Sequence, residues 1–331
     1  MSPYYNDRND RGRDPRRKFI QDRHHGNQPP RHDQKNFSRS QTSEAEKSFL
    51  SKTCVDPSPR IRLEKGLPEF TMRAMDLLCP IGKGQRGLIV APPTCGKTTL
   101  LRHLCKAIST AEPTMKVYCL LIDERPEEVT DFKRNSKAEV HWSSIDLPYE
   151  NHVRVASELM QKAYKEADAG KDVLILLDSL TRLARVHNSE TRGQGRTLSG
   201  GVDSRGLEVP RRIFGSARKI ESGGSLGILA TVLVETNSRM DEVIFQEFKG
   251  TGNMEIILSR DISTRRIFPA VDIGFTGTRK EELLFDPQEY QGVRKLRAAL
   301  AGQEKVQAAQ TLVKLMEKYP TNRELLEALS K

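Results

Sequence analysis

Ala91-Pro92-Pro93-Thr94-Cys95-Gly96-Lys97-Thr98 differs from the pattern G-x-x-x-x-G-K-[ST] only at Ala91, which stands where the first glycine would be. The segment lies between an apolar run, Gly87–Pro92, and a stretch from Lys97 to Thr110 with Leu100, Leu101, Leu104 and Ile108 at helical spacing. Such a loop turns backbone N–H groups toward phosphate oxygens, and the helix N-terminus behind it adds positive partial charge. Lys97 then neutralises phosphate and the Thr98 hydroxyl ligates Mg²⁺. An ordinary strand-to-helix turn would hold Gly-Lys-Thr only by chance. The spacing therefore assigns Thr94, Cys95, Gly96, Lys97, Thr98 and Thr99 to a nucleotide-binding loop.

Two carboxylates have the placement that phosphate chemistry requires. Asp178 follows the run Val-Leu-Ile-Leu-Leu and is placed to hold the metal; the plain alternative is an N-cap for the next helix. Glu124 ends the run Val117–Ile122 and is the candidate to polarise an attacking water, on a strand expected beside the phosphate-loop strand. The neighbouring Asp123, Arg125, Glu127 and Glu128 leave open a second reading, a solvated charged turn.

These residues need a frame. Four apolar runs, Gly87–Pro92, Val117–Ile122, Val173–Leu177 and Ile228–Val234, alternate with helical patterns such as 151–168. Near-continuous apolar strands separated by helices indicate an α/β fold with a mostly parallel sheet covered on both faces. Ligands of such sheets bind at the C-terminal ends of the strands, where the polar residues gather. Residues 293–331 read as helical, with a break near Tyr319-Pro320.

The chain has 331 residues and a net charge of +10, which favours polyanionic partners without specifying a fold. Half of that excess falls in residues 1–40, with ten Lys/Arg against five Asp. That segment is too poor in apolar residues to offset the cost of ordering it, so residues 1–45 are expected to form a disordered basic tail. Residues 46–331 would form the globular domain. Five cysteines without a C-x-x-C pair argue against a disulfide framework or a zinc ribbon. With no apolar run of membrane-spanning length and no signal peptide, the expected location is cytoplasmic.

GKGQRGLIVAPPTCGKTTLL (82–101), LLIDERPEEVTDF (120–132), ILLDSLTRLAR (175–185), GRTLSGGVDS (195–204), DEVIFQEFKGTGNMEI (241–256) and RRIFPAVDIGFTGTRKEELL (265–284) closely resemble the ATPase domain of the bacterial transcription termination factor Rho family. The resemblance runs from about residue 50 to 300. It implies a RecA-like ATPase in a homohexameric ring, with ATP and Mg²⁺ between neighbouring subunits. Glu124 would be the catalytic carboxylate, and Thr98 and Asp178 the magnesium ligands. Arg125 would touch nucleotide, Phe268 would stack on adenine, and Gly82, Lys83, Gly84, Gln85, Arg86 and Gly87 would help form the pocket. Arg279, with Arg266, would reach into the next subunit's site as arginine fingers do. Arg182 and Arg185 would link that site to the pore. Arg196, Ser199, Gly200, Gly201 and Val202 of one loop, with Ser238 and Arg239 of another, would line a channel for single-stranded RNA; a flexible surface loop is the plainer reading.

The resemblance is incomplete. Only about 45 residues precede the matching region, too few for the oligonucleotide-binding barrel with which Rho proteins usually begin. The basic tail, with Tyr4, Tyr5, His24 and His25, is a candidate substitute for RNA contact. Thr94 stands where a lysine is common, and Arg239 where a lysine is usual. The function expected is RNA-dependent ATP hydrolysis driving an RNA translocase in transcription termination, with RNA polymerase as a further partner. Rival readings are an accessory Rho-like ATPase without termination activity of its own, and a RecA-like ATPase acting on protein.

Overall fold

Side chains alternate along each buried strand between two apolar clusters, so one parallel sheet is sandwiched by helices. In the computed structural model, which describes residues 43–191 and 199–330, the strands are β1 (Cys54–Val55), β2 (Arg60–Ile61), β3 (Ile81–Gly82), β4 (Arg86–Ala91), β5 (Lys116–Glu124), β6 (Glu139–Ser144), β7 (Asp172–Asp178), β8 (Arg218–Ile220), β9 (Ser225–Leu233), β10 (Met254–Ile257) and β11 (Gly277–Thr278). Ile89 and Ala91 of β4, Cys119 and Leu121 of β5, and Leu174 and Leu176 of β7 pack with the helices Phe70–Leu78 and Lys97–Ala111. Their neighbours Leu88, Val90, Leu120, Ile122, Ile175 and Leu177 pack on the other face with the helix Tyr149–Asp168. This period-two division is what a sheet buried on both faces requires.

The strand order is β11-β10-β4-β9-β7-β5-β6, with β10, β4, β9, β7, β5 and β6 mutually parallel and β11 antiparallel at one edge. The four expected strands all lie in this parallel core. One expectation fails: β5 is not beside β4, because β9 and β7 lie between them. Since the core strands are parallel, the sheet has one C-terminal edge, where β4, β5, β7, β9 and β10 all end, and one N-terminal edge about 17 Å away along six-residue β4.

Two boundaries also change. The first described helix, Glu44–Ser51, begins before the expected domain start at 46, with the Ser43 hydroxyl accepting from the Glu46 N–H (3.1 Å). Phe49 is fully buried and its ring meets that of Tyr164 (6.0 Å between centroids). At the other end, the helical segment starts earlier and breaks twice, into helices Pro287–Ala301, Lys305–Lys318 and Asn322–Ser330. The break at 302–304 comes from Gly302 as C-cap and Glu304 as the next N-cap, a stop and start with no proline to announce it. Among the described residues no helix is long and apolar enough to cross a membrane.

Candidate active site

The phosphate loop leaves β4 at Ala91 and enters the helix Lys97–Ala111 through Gly96, whose φ of 88° is a left-handed conformation suited to glycine. Gly96 has no side chain to cap the helix, so the first N–H groups of that helix are left for an anion. The Thr94 hydroxyl is bonded to the carbonyl of Pro93 (2.6 Å), and the side chain is exposed. Thr98 and Thr99 begin the helix. Cys95 is buried, its Sγ 3.4 Å from the Ser263 hydroxyl.

Lys97 lies between the two carboxylates singled out by sequence. Its Nζ is 2.7 Å from Asp178 Oδ1 and 3.1 Å from Glu124 Oε1. Asp178 ends β7 on the face that carries Leu174 and Leu176, which is the face of the phosphate-loop helix. Thr231 of β9 donates its hydroxyl to Asp178 Oδ1 (2.7 Å). Glu124 reaches that face by a bulge. Strict alternation would put it with Ile122 on the opposite side, but Asp123 (φ 58°) is an extra residue between the pairs Ile122–Ser143 and Glu124–Ser144. The bulge turns Glu124 inward, where Arg182 approaches its Oε2 at 3.6 Å.

Burial raises Glu124 above the usual carboxylate range, and the nearby Asp178 charge adds to this against the opposing pull of Lys97 and Arg182. For Lys97, burial works to lower the ammonium's pKa, but the charges of Asp178 and Glu124 overcome it and hold the group above its ordinary value. The site thus holds a half-buried cation clamped by two buried carboxylates. A triphosphate that draws Lys97 away would leave both carboxylates in need of another cation.

The remaining sequence candidates divide between the two edges of the sheet. At the C-terminal edge, with Lys97, are Arg125 at the end of β5 and the segment carrying Arg266 and Phe268, which follows the helix Arg260–Thr264 that touches Cys95 through Ser263. Arg125, Arg266 and Phe268 are all exposed. At the N-terminal edge are Gly82, Lys83, Gly84, Gln85 and Arg86, with Gly87 as the second residue of β4, and Arg279, directly after antiparallel β11. The structure therefore does not bring residues 82–87 to the phosphate loop of the same chain. It does not bring Arg266 to Arg279 either. The reason is topological: β4 separates its two ends, and Lys83 and Arg86 are bonded locally, Lys83 to Asp172 (2.9 Å) and Arg86 to the Thr251 carbonyl (2.7 Å). Arg279 is exposed, and among the described residues its guanidinium has no hydrogen bond or ion pair.

The two segments assigned to a channel meet. Gly200 (φ 72°) sits so close to the 238–240 turn that a Cβ there would lie 2.8 Å from the Arg239 carbonyl oxygen. Gly201 accepts from the Asn188 side chain (3.3 Å), Val202 is buried, and Ser238 caps the helix Arg239–Lys249 by accepting from the Asp241 N–H (3.4 Å). Arg239 is exposed, whereas Arg185 is paired with buried Asp241 (Nε to Oδ1 2.7 Å). Arg196 lies outside the described residues, as does the side chain of Ser199. Gly200→Ala is expected to cost about 1–3 kcal/mol from the left-handed backbone and the contact with Arg239, measured by urea unfolding against the wild type.

Sequence reasoning missed Thr231, Ser263 and Asn253. Thr231 had a signal, a lone hydroxyl inside the run Ile228–Val234 on the Asp178 side. Ser263 and Asn253 had none, since their roles arise from contacts across the fold.

Residues 71–276 match the ATP synthase alpha/beta family, nucleotide-binding domain. Among solved structures, the chain is similar to a prototypical ATPase from the type III secretion system of pathogenic bacteria, with TM-score 0.68 at 24% identity over 83% of this chain and 85% of that one, a likeness of fold. It is 48% identical over 302 residues to transcription termination factor Rho of Haemophilus influenzae, spanning 90% of this chain and 72% of that protein. It is 49% identical to Rho of Streptosporangium roseum, spanning 84% of this chain and 72% of that protein. Against Rho of Mycobacterium bovis the identity is 49%, but the chain spans only about half, 47%, of that relative's length. A phosphate loop whose lysine meets two buried carboxylates, carried on this sheet and at this identity, is that of an ATP-hydrolysing enzyme, and the chain belongs to the transcription termination factor Rho family.

Proposed function

We propose that this chain is a ring-forming, RNA-dependent ATPase that moves along single-stranded RNA in transcription termination, with each ATP held between two copies. The observation that carries the composite site is the separation of Lys97 and Arg279 to opposite edges of the sheet. An exposed arginine that makes no ion pair among the described residues and lies beyond the reach of its own phosphate loop suits a group that acts on a neighbour's nucleotide. A head-to-tail contact of this kind generates a ring where its rotation closes, and the homohexamer is the closed form proposed.

In that site the phosphate-loop N–H groups and Lys97 bind the β- and γ-phosphates, and Phe268 and Arg125 contact the rest of the nucleotide. Glu124 orients and deprotonates the attacking water, and Arg279 of the adjoining copy stabilises charge on the phosphoryl group in transfer. Residues 82–87, which share the Arg279 edge, would face the same junction from the second copy. Thr98 and Asp178 would hold Mg²⁺, which supplies charge neutralisation of the phosphates. Two buried carboxylates that lose Lys97 to phosphate fit that ion, which is commonly held by one or two carboxylates together with phosphate. Gly200, Gly201, Val202, Ser238 and Arg239, with Arg196 and Ser199, would contact the RNA backbone. The contact of Gly200 with Arg239 supports a single RNA-facing surface, and RNA polymerase would be a further partner.

Mixing variants tests the composite site. Lys97→Ala and Arg279→Ala should each be inactive alone. Their equimolar mixture should recover up to about a quarter of the wild-type rate, because about one junction in four pairs an intact loop with an intact arginine. A mixture as inactive as its components would contradict a site shared between copies.

A further inference from the structure

The backbone beside Arg279 is fastened to the start of β4 through Asn253, by main-chain bonds and by its side chain. The Arg279 N–H donates to the main-chain carbonyl of Asn253 (2.8 Å). Asn253 Oδ1 accepts twice, from Gln85 Nε2 (2.7 Å) and from the Arg86 N–H (2.9 Å), and the Asn253 N–H donates to the Arg86 carbonyl (2.9 Å). Gln85 is itself buried and fixed, its Oε1 accepting from the Gly82 N–H (2.9 Å) and its carbonyl from the Ile228 N–H (2.8 Å). On the other side of Arg279, Lys280 places its ammonium 3.0 Å from each oxygen of Asp56. Gln85, Arg86, Asn253, Arg279 and Lys280 line one cavity, so the arginine projects from a floor built by these bonds.

We propose that Asn253 is a positioning residue for Arg279: its side chain, bonded to Gln85 and Arg86, holds the main-chain carbonyl that takes the Arg279 N–H against the rigid first residues of β4, and so fixes where the guanidinium enters the neighbour's site. The inference rests on the reading that Arg279 acts on an adjoining copy. The Asn253 side-chain oxygen is taken up by Gln85 and Arg86. Asn253 acts through geometry, and a displacement of about 1 Å in a charge-stabilising group can cost on the order of 10²-fold in rate. The acceptor oxygen is what matters. An aspartate at 253 retains acceptors for both Gln85 and Arg86, whereas alanine leaves the Arg86 N–H without one and Gln85 with only the Asn253 main-chain carbonyl at 3.5 Å.

The phosphate loop is at the far end of β4, so a purely local change at 253 should spare a chain's own nucleotide binding. Asn253→Ala is expected to lower kcat by about 10–10²-fold with KM for ATP unchanged, and Asn253→Asp to retain the wild-type kcat. The decisive arm mixes Asn253→Ala with Lys97→Ala, whose arginine edge is intact. That mixture should recover the same activity as the Arg279→Ala and Lys97→Ala mixture, because the Lys97→Ala copy supplies a well-placed arginine to the Asn253→Ala loop. A thermal melt verifies folding, and Asn253→Ser takes the place of the alanine variant if that one does not fold. Wild-type kcat in the alanine variant would overturn the proposal. So would a failure to recover in the mixture when the Arg279→Ala mixture does recover. If neither mixture recovers, the shared-site reading fails and the latch fails with it.

Discussion

Lys97→Ala is expected to reduce ATP turnover by at least about 10²–10³-fold while the chain remains folded, the scale on which removal of one preorganised charge-stabilising group acts. Lys97 is the cation of the phosphate loop, and among the described residues no other lysine or arginine lies within ion-pair distance of Asp178. The variant also leaves Glu124 and Asp178 buried without the ammonium that now separates them. Part of that cost is relieved by protonation, since Glu124 is already raised by burial and by Asp178. A loss of about 1–3 kcal/mol is expected at neutral pH, tolerable against the ~5–15 kcal/mol of an ordinary domain. The loss should shrink as the pH falls and Glu124 takes up a proton. Steady-state hydrolysis, with urea unfolding at two pH values, checks both halves of the expectation.

Glu124→Gln should lower kcat by about 10²–10⁴-fold, the range of a general base, with nucleotide binding retained because the phosphate loop is untouched. In the wild type, the raised pKa of Glu124 moves the acid limb of the kcat/KM profile, which reports the free enzyme, above the pH at which an ordinary glutamate titrates, and that limb should vanish in the variant. The stability effect has the opposite sense. A carboxyl raised in the folded state is stabilising relative to its ionised form below the unfolded pKa, and the advantage is lost as pH rises through the folded value. The buried carboxylate therefore weighs against folding at neutral pH. The glutamine variant should gain stability relative to wild type as the pH rises from the ordinary glutamate range to neutrality. A fluorescent nucleotide titration, a pH–rate profile and denaturant curves across that interval separate these effects.

The parallel core was legible because its strands are nearly continuous apolar runs: Val117–Ile122 and Val173–Leu177 fall wholly inside β5 and β7. The face of Asp178 also follows from counting, since it shares parity with Leu174 and Leu176. Glu124 does not. Its face depends on the bulge at Asp123, and nothing in Ile-Asp-Glu-Arg-Pro marks one residue as extra. The order of strands was likewise hidden, because neighbours along the chain need not be neighbours in a sheet with crossovers. That is why β5 was expected beside β4. The meeting of Gly200 with Arg239 and of Asn253 with Arg279 depends on long-range contacts, for which spacing carries no signal.

The claim that this enzyme works on RNA is tested most directly by ATP hydrolysis of the purified chain titrated with poly(C) or poly(U), at low and high salt. The account predicts a rate that rises with RNA and saturates, with the half-saturating RNA concentration increasing steeply with salt as phosphate contacts are screened. A rate indifferent to either polymer at every salt concentration would contradict it.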